Sequence, residues 1–153
     1  MRGHAAVFDI TFRGSWALAS IATITAGQQA AIDAGATATV VAAVRAHAGA
    51  SEVAHRGCRA LTNIAILPAG QKAAVDAAAP DIIIAALRLH IDVAEVAEHG
   101  CAALLNIAWS LPAGKAAVCD AGGRLAISNA ILRHESAKAK GREALAKLPA
   151  SGK

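Results

Sequence analysis

GCRALTNIA runs from Gly57 to Ala65, and GCAALLNIA runs from Gly100 to Ala108. The two segments lie 43 residues apart and differ only at their third and sixth positions. Another glycine, Gly14, precedes Gly57 by the same interval. Since self-similarity at a fixed period of about 20 to 50 residues is the signature of repeat architectures, the sequence predicts a chain built from repeated units.

The repeat extends beyond the quoted segments. A shift of 43 residues also aligns further pairs, among them Gly27 with Gly70, Arg45 with Arg88 and His47 with His90. A last copy begins near Pro112 and is shorter, because GREAL at 141–145, which resembles GCRAL, begins only 41 residues after Gly100 of the preceding copy. We therefore predict a single domain over 1–153, with a partial N-terminal unit holding only a third helix (1–24), two units (25–67 and 68–111) and a shortened, basic C-terminal unit (112–153).

Composition predicts the fold class. Apolar residues make up 56% of the chain and aromatic residues only 3%, and alanine dominates the apolar share. Alanine is the best helix former and a poor strand former. The sequence therefore predicts an all-α fold whose helices approach closely.

Each unit is predicted to hold three helices. In the second complete unit they cover roughly 70–78, 81–90 and 93–110, with Gly70 and Pro80 at the ends of the first. Asp92 followed by Glu95 predicts a capping box for the third helix. The glycine that recurs in the middle of the third helix, such as Gly100, costs about 1 kcal/mol against alanine. Its recurrence predicts a point where the backbone of another helix comes too close for a Cβ.

A family resemblance follows from these motifs. The pattern V-x-x-x-G-x-x-A-L-x-N-I-A at Val53–Ala65 and Val96–Ala108, with AIDAGA at Ala31–Ala36, resembles the armadillo repeat. The resemblance covers nearly the whole chain, and the period fits. HEAT repeats are a near relative, but the separate short first helix and the L-x-N-I-A ending favour armadillo. The resemblance implies a right-handed superhelical solenoid of three to four three-helix repeats.

The resemblance also implies a binding surface. In peptide-binding armadillo arrays the third helices line a concave groove, and an asparagine on each holds the main chain of an extended partner. Here Asn63 and Asn106 occupy that position, with Ser20 and Lys147 at the corresponding places of the outer units. An amide suits this role because it can donate to a carbonyl and accept from an N–H. The alternative is that both asparagines only bond the neighbouring turn.

The residues around these asparagines indicate what the groove would bind. Where nuclear-import members of the family place tryptophan, this chain has Trp16, Arg59, Ala102 and Glu143, so the aromatic ladder is missing after the first copy. Basic residues precede the repeat glycines, namely Arg13, Arg56, His99 and Lys140. Arginine forks suit carboxylates and phosphates. We expect an extended acidic or phosphorylated segment as ligand, the alternative being a solvated helix face.

Cysteine and histidine positions indicate structural roles. Cys58 and Cys101 occupy equivalent places on helices about 10 Å apart, too far for a disulfide, so we expect small buried residues. The second helices end at histidines, namely His47, His90 and His134. The helix dipole favours a cation at this end of a helix. Because each unit has only one such histidine, the three are not spaced to bind a metal ion together. The sequence contains no phosphate loop, nucleophile elbow, H-E-x-x-H or C-x-x-C motif. We expect neither an enzyme nor a cofactor.

Charge and hydropathy restrict the classes of partner that we expect the chain to bind. Residues 133–153 hold six basic and two acidic side chains, which accounts for the whole net charge of +4. A broad phosphate-binding face is not indicated, so nucleic acid is not the expected partner. Mean hydropathy is +0.45, but no stretch has the roughly 20 apolar residues of a membrane span. We expect an intracellular protein, cytoplasmic or nuclear, without membrane contact.

A group of apolar residues lies near the start of the sequence, and a partner surface is needed to bury it. The apolar side chains of Val7, Phe8, Ile10 and Phe12 precede the first recognisable copy. Each unit of a solenoid buries its apolar face only against its neighbours. We expect either that the chain is a piece of a longer array or that this end pairs with a second copy.

The sequence is compatible with three classes of function. The leading hypothesis is a non-enzymatic scaffold that binds a protein or an extended peptide in the groove. The second is a structural or engineered repeat segment without a defined ligand. The third is nucleic-acid binding through the basic C-terminal segment, which predicts a steep salt dependence.

Overall fold

The computed structural model describes residues 25–149. In that range nine α-helices are joined by short loops, and no strand is present. The helices are α1 (Thr25–Asp33), α2 (Ala36–Ala46), α3 (Ser51–Ile64), α4 (Pro68–Asp76), α5 (Ala79–Leu89), α6 (Ala94–Ile107), α7 (Pro112–Asp120), α8 (Gly123–Arg133) and α9 (Lys138–Lys147), with a 3-10 helix (Glu135–Ala137) before α9. The prediction of an all-α fold is confirmed for this part of the chain.

Helices with the same place in successive units pack against each other. The first helices α1, α4 and α7 form one such series, α2, α5 and α8 a second, and α3, α6 and α9 a third with the most extensive contacts. Leu61 of α3 and Leu104 of α6, its counterpart 43 residues later, are both 0% exposed. Burying a leucine contributes about 1.5 to 3 kcal/mol. This arrangement is compatible with a helical repeat fold.

The helix ends differ from the predicted ones in two respects. Pro80 lies in the first turn of α5 and does not terminate the helix before it, a position where proline's missing N–H costs nothing. The predicted capping box is wrong, because Val93 is the N-cap of α6 and no side chain caps it. Asp92 instead accepts a hydrogen bond from Nη1 of Arg133 in the next unit, at 2.7 Å.

The predicted neighbour of the mid-helix glycine is also wrong. A Cβ at Gly57 would overlap Cγ2 of Val44, and one at Gly100 would lie 2.7 Å from Cδ2 of Leu87. Both neighbours are side chains of the second helix in the same unit. The glycine therefore accommodates an inserted side chain and not a helix backbone.

The close approach of two backbones occurs at a different glycine. A Cβ at Gly70, near the start of α4, would overlap the carbonyl oxygen of Ile64, the last residue of α3. Gly114 stands in the same relation to the carbonyl of Ile107 at the end of α6. Glycine at these positions lets each first helix pack directly on the end of the preceding third helix.

The turn between the first and second helix of each unit uses a left-handed residue. Gly35, Ala78 and Gly122 occupy equivalent positions, with φ of 67°, 53° and 83°. Within residues 25–149, Ala78 is the only non-glycine residue with positive φ. Two units thus have the residue that this turn favours, and the middle unit has an alanine.

Two of the histidines that end second helices join neighbouring units. Nε2 of His90 donates to the carbonyl of Ala48, and Nε2 of His134 donates to the carbonyl of Ile91, each at 2.7 Å. The structural role predicted for these two residues is confirmed. Among the described residues, no group of three His, Cys, Asp or Glu side chains is arranged to hold a metal ion.

The described helices were also compared with the length and hydropathy of a membrane span. Over 25–149 the helices are too short or too polar to cross a bilayer. The apolar residues at 7–12, and the expectation attached to them, lie outside the described residues.

Candidate functional site

The candidate site lies beside the C-terminal ends of α3 and α6. A cleft of about 280 Å³ opens there, bordered also by the start of α4 and by the first two turns of α9. Its lining includes Asn106, one of the two predicted ladder residues, together with Ala65, Ile66, Gln71, Leu105, Trp109, Lys140 and Glu143. Residues from two complete units and from the last unit thus meet at one concave place.

The amide of Asn106 already makes one hydrogen bond within the protein. Its Nδ2 donates to the carbonyl of Thr62 at 2.8 Å and so links α6 to α3. A carbonyl can only accept, which fixes the nitrogen of the amide toward Thr62 and leaves the oxygen for another donor. Asn63, its counterpart in α3, is half-buried and also has an interaction partner.

Two of the polar or aromatic side chains that line the cleft, those of Trp109 and Gln71, were not anticipated from the sequence. Trp109 is 46% exposed, and Nζ of Lys147 lies 3.9 Å from the centroid of its ring. A cation at this distance is attracted by the face of the indole. A signal for Trp109 was present, because Ile66 occupies the equivalent position 43 residues earlier and is 53% exposed. An apolar residue just after the third helix thus recurs at the surface.

Gln71 is the second residue that sequence reasoning missed. Its side chain belongs to α4 and is only 2% exposed, and its Oε1 accepts a hydrogen bond from Oγ of Ser110 at 2.8 Å. Gln28, 43 residues earlier, is also buried, at 4% exposed. The recurrence of a Gly-Gln pair at these two places could have indicated a polar residue with a fixed position.

The predicted row of basic residues is interrupted by carboxylates. Nη2 of Arg56 lies 2.6 Å from Oε1 of Glu52 one turn away, and Nζ of Lys140 lies 3.9 Å from Glu143. Arg59 is half-buried. Since two of the expected groove cations already face an acid, the net positive charge of the surface is smaller than the basic residues alone indicate.

His99, another of the predicted groove residues, packs against a second histidine. Its ring stacks on that of His55, with centroids 5.0 Å apart and planes inclined by 16°. Burial lowers the pKa of His99 below its ordinary value, the neighbouring His55 and Arg59 lower it further, and the carboxylates of Glu98 and Glu95 oppose the shift. The pair therefore favours a neutral His99 and contributes packing between α3 and α6.

The thiols in the third helices are structural. Cys58 and Cys101 are free and buried, as predicted. Burial raises the pKa of each thiol to about 12, and for Cys58 the nearby Cys101 adds to the effect. A thiol with so high a pKa forms little of the reactive thiolate.

Three residues assigned to the groove from the sequence cannot be placed. Arg13, Trp16 and Ser20 lie outside the described residues. Of the remaining groove assignments, Asn106 and Lys140 line the cleft. Asn63, Arg56, Arg59 and His99 are not among its lining residues.

Comparison with known proteins adds no family. No protein-family model matches this chain, and no curated protein matches it. The likeness to armadillo repeats therefore depends on the motifs of the third helices.

Proposed function

We propose that the chain is an armadillo-like, right-handed superhelical solenoid of three to four units with a period of about 43 residues. The proposal is supported by the packing of α3, α6 and α9 in series, and of the first and second helices in the same way. It is further supported by contacts that recur from unit to unit, such as the histidine bonds to Ala48 and Ile91. The handedness follows from the family resemblance.

For its function we propose a non-enzymatic scaffold that binds a protein through an extended segment laid across the third helices. One observation carries this proposal: the cleft of about 280 Å³ that places Asn106 beside the exposed Trp109. Binding sites combine apolar walls with a few convergent polar groups. Ile66 and Trp109 supply the walls, while Gln71 and Asn106 supply polar groups.

The charge of the surface bears on the expected ligand. Arg56 and Lys140 already lie near Glu52 and Glu143. Exposed ion pairs of this kind are worth at most about 1 kcal/mol, so a ligand carboxylate or phosphate can compete for the cation. We propose that acidic residues in the ligand strengthen binding without being required for it.

The test is selection from a library of extended peptides, followed by fluorescence titration of the selected sequences. Replacing Asn106→Ala should weaken binding about tenfold, because one buried hydrogen bond is worth roughly 1 to 3 kcal/mol. Gln29→Ala is the matched control. It also removes an amide with an intramolecular bond, to Asp33 at 2.8 Å, but on the exposed side of α1.

A second candidate is a structural repeat segment that has no ligand. The observation that favours it is the bond from Asn106 to the Thr62 carbonyl, since an amide used for packing needs no partner peptide. This candidate predicts that selection yields no peptide that binds in the cleft. In that case Asn106→Ala should change only the free energy of unfolding.

A further inference from the structure

The buried Gln71 and the half-buried Asn106 of the cleft carry complementary hydrogen-bonding atoms. Gln71 uses its oxygen to accept from Ser110, which leaves its Nε2 hydrogens as donors. Asn106 uses its nitrogen to donate to Thr62, which leaves its Oδ1 as an acceptor. Both side chains line the same cleft. One donor and one acceptor therefore remain at a single place.

We propose that Gln71 and Asn106 together bind the carbonyl and the N–H of one residue in the ligand's main chain, which point to the same side of an extended segment. Nε2 of Gln71 donates to the ligand carbonyl, and Oδ1 of Asn106 accepts from a ligand N–H. This inference rests on the proposed function and specifies which atoms recognise the partner. It assigns Gln71, a residue of a first helix, to a surface otherwise formed by third helices.

The setting of the two amides favours this use. Gln71 is 2% exposed, and each amide is oriented by a hydrogen bond within the protein. Groups held in place before binding lose little conformational entropy when the ligand arrives. Trp109 and Ile66 line the same cleft and offer apolar surface to a ligand beside the two amides.

The sequence repeats the pair once. Gln28 and Asn63 precede Gln71 and Asn106 by 43 residues each. In the last unit the residue aligned with Gln71 is Lys115, because Gly114 takes the place of Gly70. A donor–acceptor pair of this kind reads the main chain and not the ligand's side chains, so the partner class is an extended segment of loosely specified sequence.

The experiment uses a peptide selected on the whole protein and two sets of changes. In the protein, Gln71→Met removes the amide while keeping the length of the side chain, and Gln29→Met is the exposed control on α1. In the peptide, each main-chain amide is replaced in turn by an ester, which removes the N–H. Circular dichroism and a urea titration establish that each variant is folded under the binding conditions.

We expect Gln71→Met to weaken binding about tenfold and Gln29→Met to leave it unchanged. A peptide with the ester at one particular position should bind the wild-type protein more weakly by a similar factor. The same ester should weaken binding to the Asn106→Ala variant little further. If peptides bind but neither Gln71→Met nor any single ester changes the affinity, the amide pair is wrong while the scaffold function stands. If only a side-chain carboxamide of the peptide is needed, the main-chain assignment is wrong. If no peptide binds, the scaffold function itself fails, and this inference fails with it.

Discussion

Ala78 carries backbone strain that its counterparts avoid. With φ of 53° it adopts the left-handed conformation that Gly35 and Gly122 adopt in the other units. This conformation costs an L-residue about 1 to 2 kcal/mol. The side chain of Ala78 is exposed, so its methyl group returns little of that cost through packing.

Ala78→Gly should raise the free energy of unfolding by about 0.5 to 1 kcal/mol, because relief of strain exceeds the added entropy of the unfolded chain. The reverse change, Gly35→Ala, should lower it by about 1 kcal/mol, since no atom lies within 4 Å of the added Cβ and only the φ angle matters. Ala85→Gly, exposed within α5, is the control and should cost about 1 kcal/mol. Urea denaturation measures all three, and a loss of stability in Ala78→Gly would refute this explanation of the turn.

Gly70 and Gly100 both lie in helices. The atom that faces Gly70 belongs to a backbone carbonyl, whereas the atom that faces Gly100 is the end of a side chain that can move. Gly70→Ala should cost about 3 kcal/mol or more, because its Cβ would overlap the fixed carbonyl of Ile64. Gly100→Ala should stay within about 1 kcal/mol of the wild type, because the end of Leu87 can turn away and alanine favours the helix. Equal losses of stability in the two variants would show that the neighbouring atoms do not decide the outcome.

The sequence pattern identifies the recurring glycines but not the atoms that face them in the folded protein. Periodicity showed that Gly57 and Gly100 are equivalent, and a helical glycine suggests close packing. The identity of the facing atom depends on how a second helix crosses the third, which a repeat pattern does not contain. For the same reason Gly70 was assigned to a helix end, whereas it lies inside α4.

At the scale of elements, polar contacts tie the third helix α6 to its counterpart α3 in the preceding unit. Asn106 of α6 bonds Thr62 of α3, and the Thr62 hydroxyl lies 3.2 Å from the carbonyl of His99. The stacked rings of His55 and His99 lie on the same pair of helices. Contacts between α3 and α6 therefore combine an apolar core with hydrogen bonds and a stacked pair of rings, and the pKa of His99 in that pair is lowered.

The stability of this helix pair should fall in mild acid. The pKa of His99 is lowered in the folded state, so the unfolded chain takes up a proton first as the pH drops. The contribution of a neutral His99 is complete above about pH 6.5 and is lost as the pH falls from there toward the folded-state pKa. The charged groups that face the stack are Glu52, beside His55, and Glu95, Glu98 and Arg59, beside His99.

His99→Gln should reduce the slope of unfolding free energy against pH just below about pH 6.5, where the unfolded chain takes up the proton first. Urea titrations at several pH values measure the slope. An unchanged slope in His99→Gln would mean that the stack does not disfavour the protonated ring.

The elements themselves were largely predictable, and the cleft was only partly so. Three helices per unit followed from periodicity and from the positions of Gly and Pro. Asn106 was expected in the site, but Gln71 was not, because a buried glutamine on a first helix resembles ordinary packing in the sequence. The ion pair between Arg133 and Asp92 was also hidden, since it joins residues of different units whose side chains meet only in the folded protein.

At the scale of the molecule, the exposed apolar side chains fall on two surfaces. Ile66 and Trp109 border the cleft, while Leu89, Leu125 and Leu132 lie on the second helices α5 and α8. The first group shares its cleft with Gln71 and Asn106, whose amides have atoms left to bond. This combination of apolar walls and oriented amides distinguishes the cleft from the rest of the described surface.

The central claim is that a peptide lies across the C-terminal ends of α3 and α6 and the first turns of α9, and nuclear magnetic resonance tests it most directly. In a ¹⁵N-labelled sample, titration with a selected peptide should shift the indole N–H signal of Trp109 and the side-chain amide signals of Gln71 and Asn106. Signals from the exposed faces of α5 and α8, such as the backbone amide of Leu125, should stay in place. Saturating binding that moves the α5 and α8 signals and leaves Trp109, Gln71 and Asn106 unchanged would contradict the account.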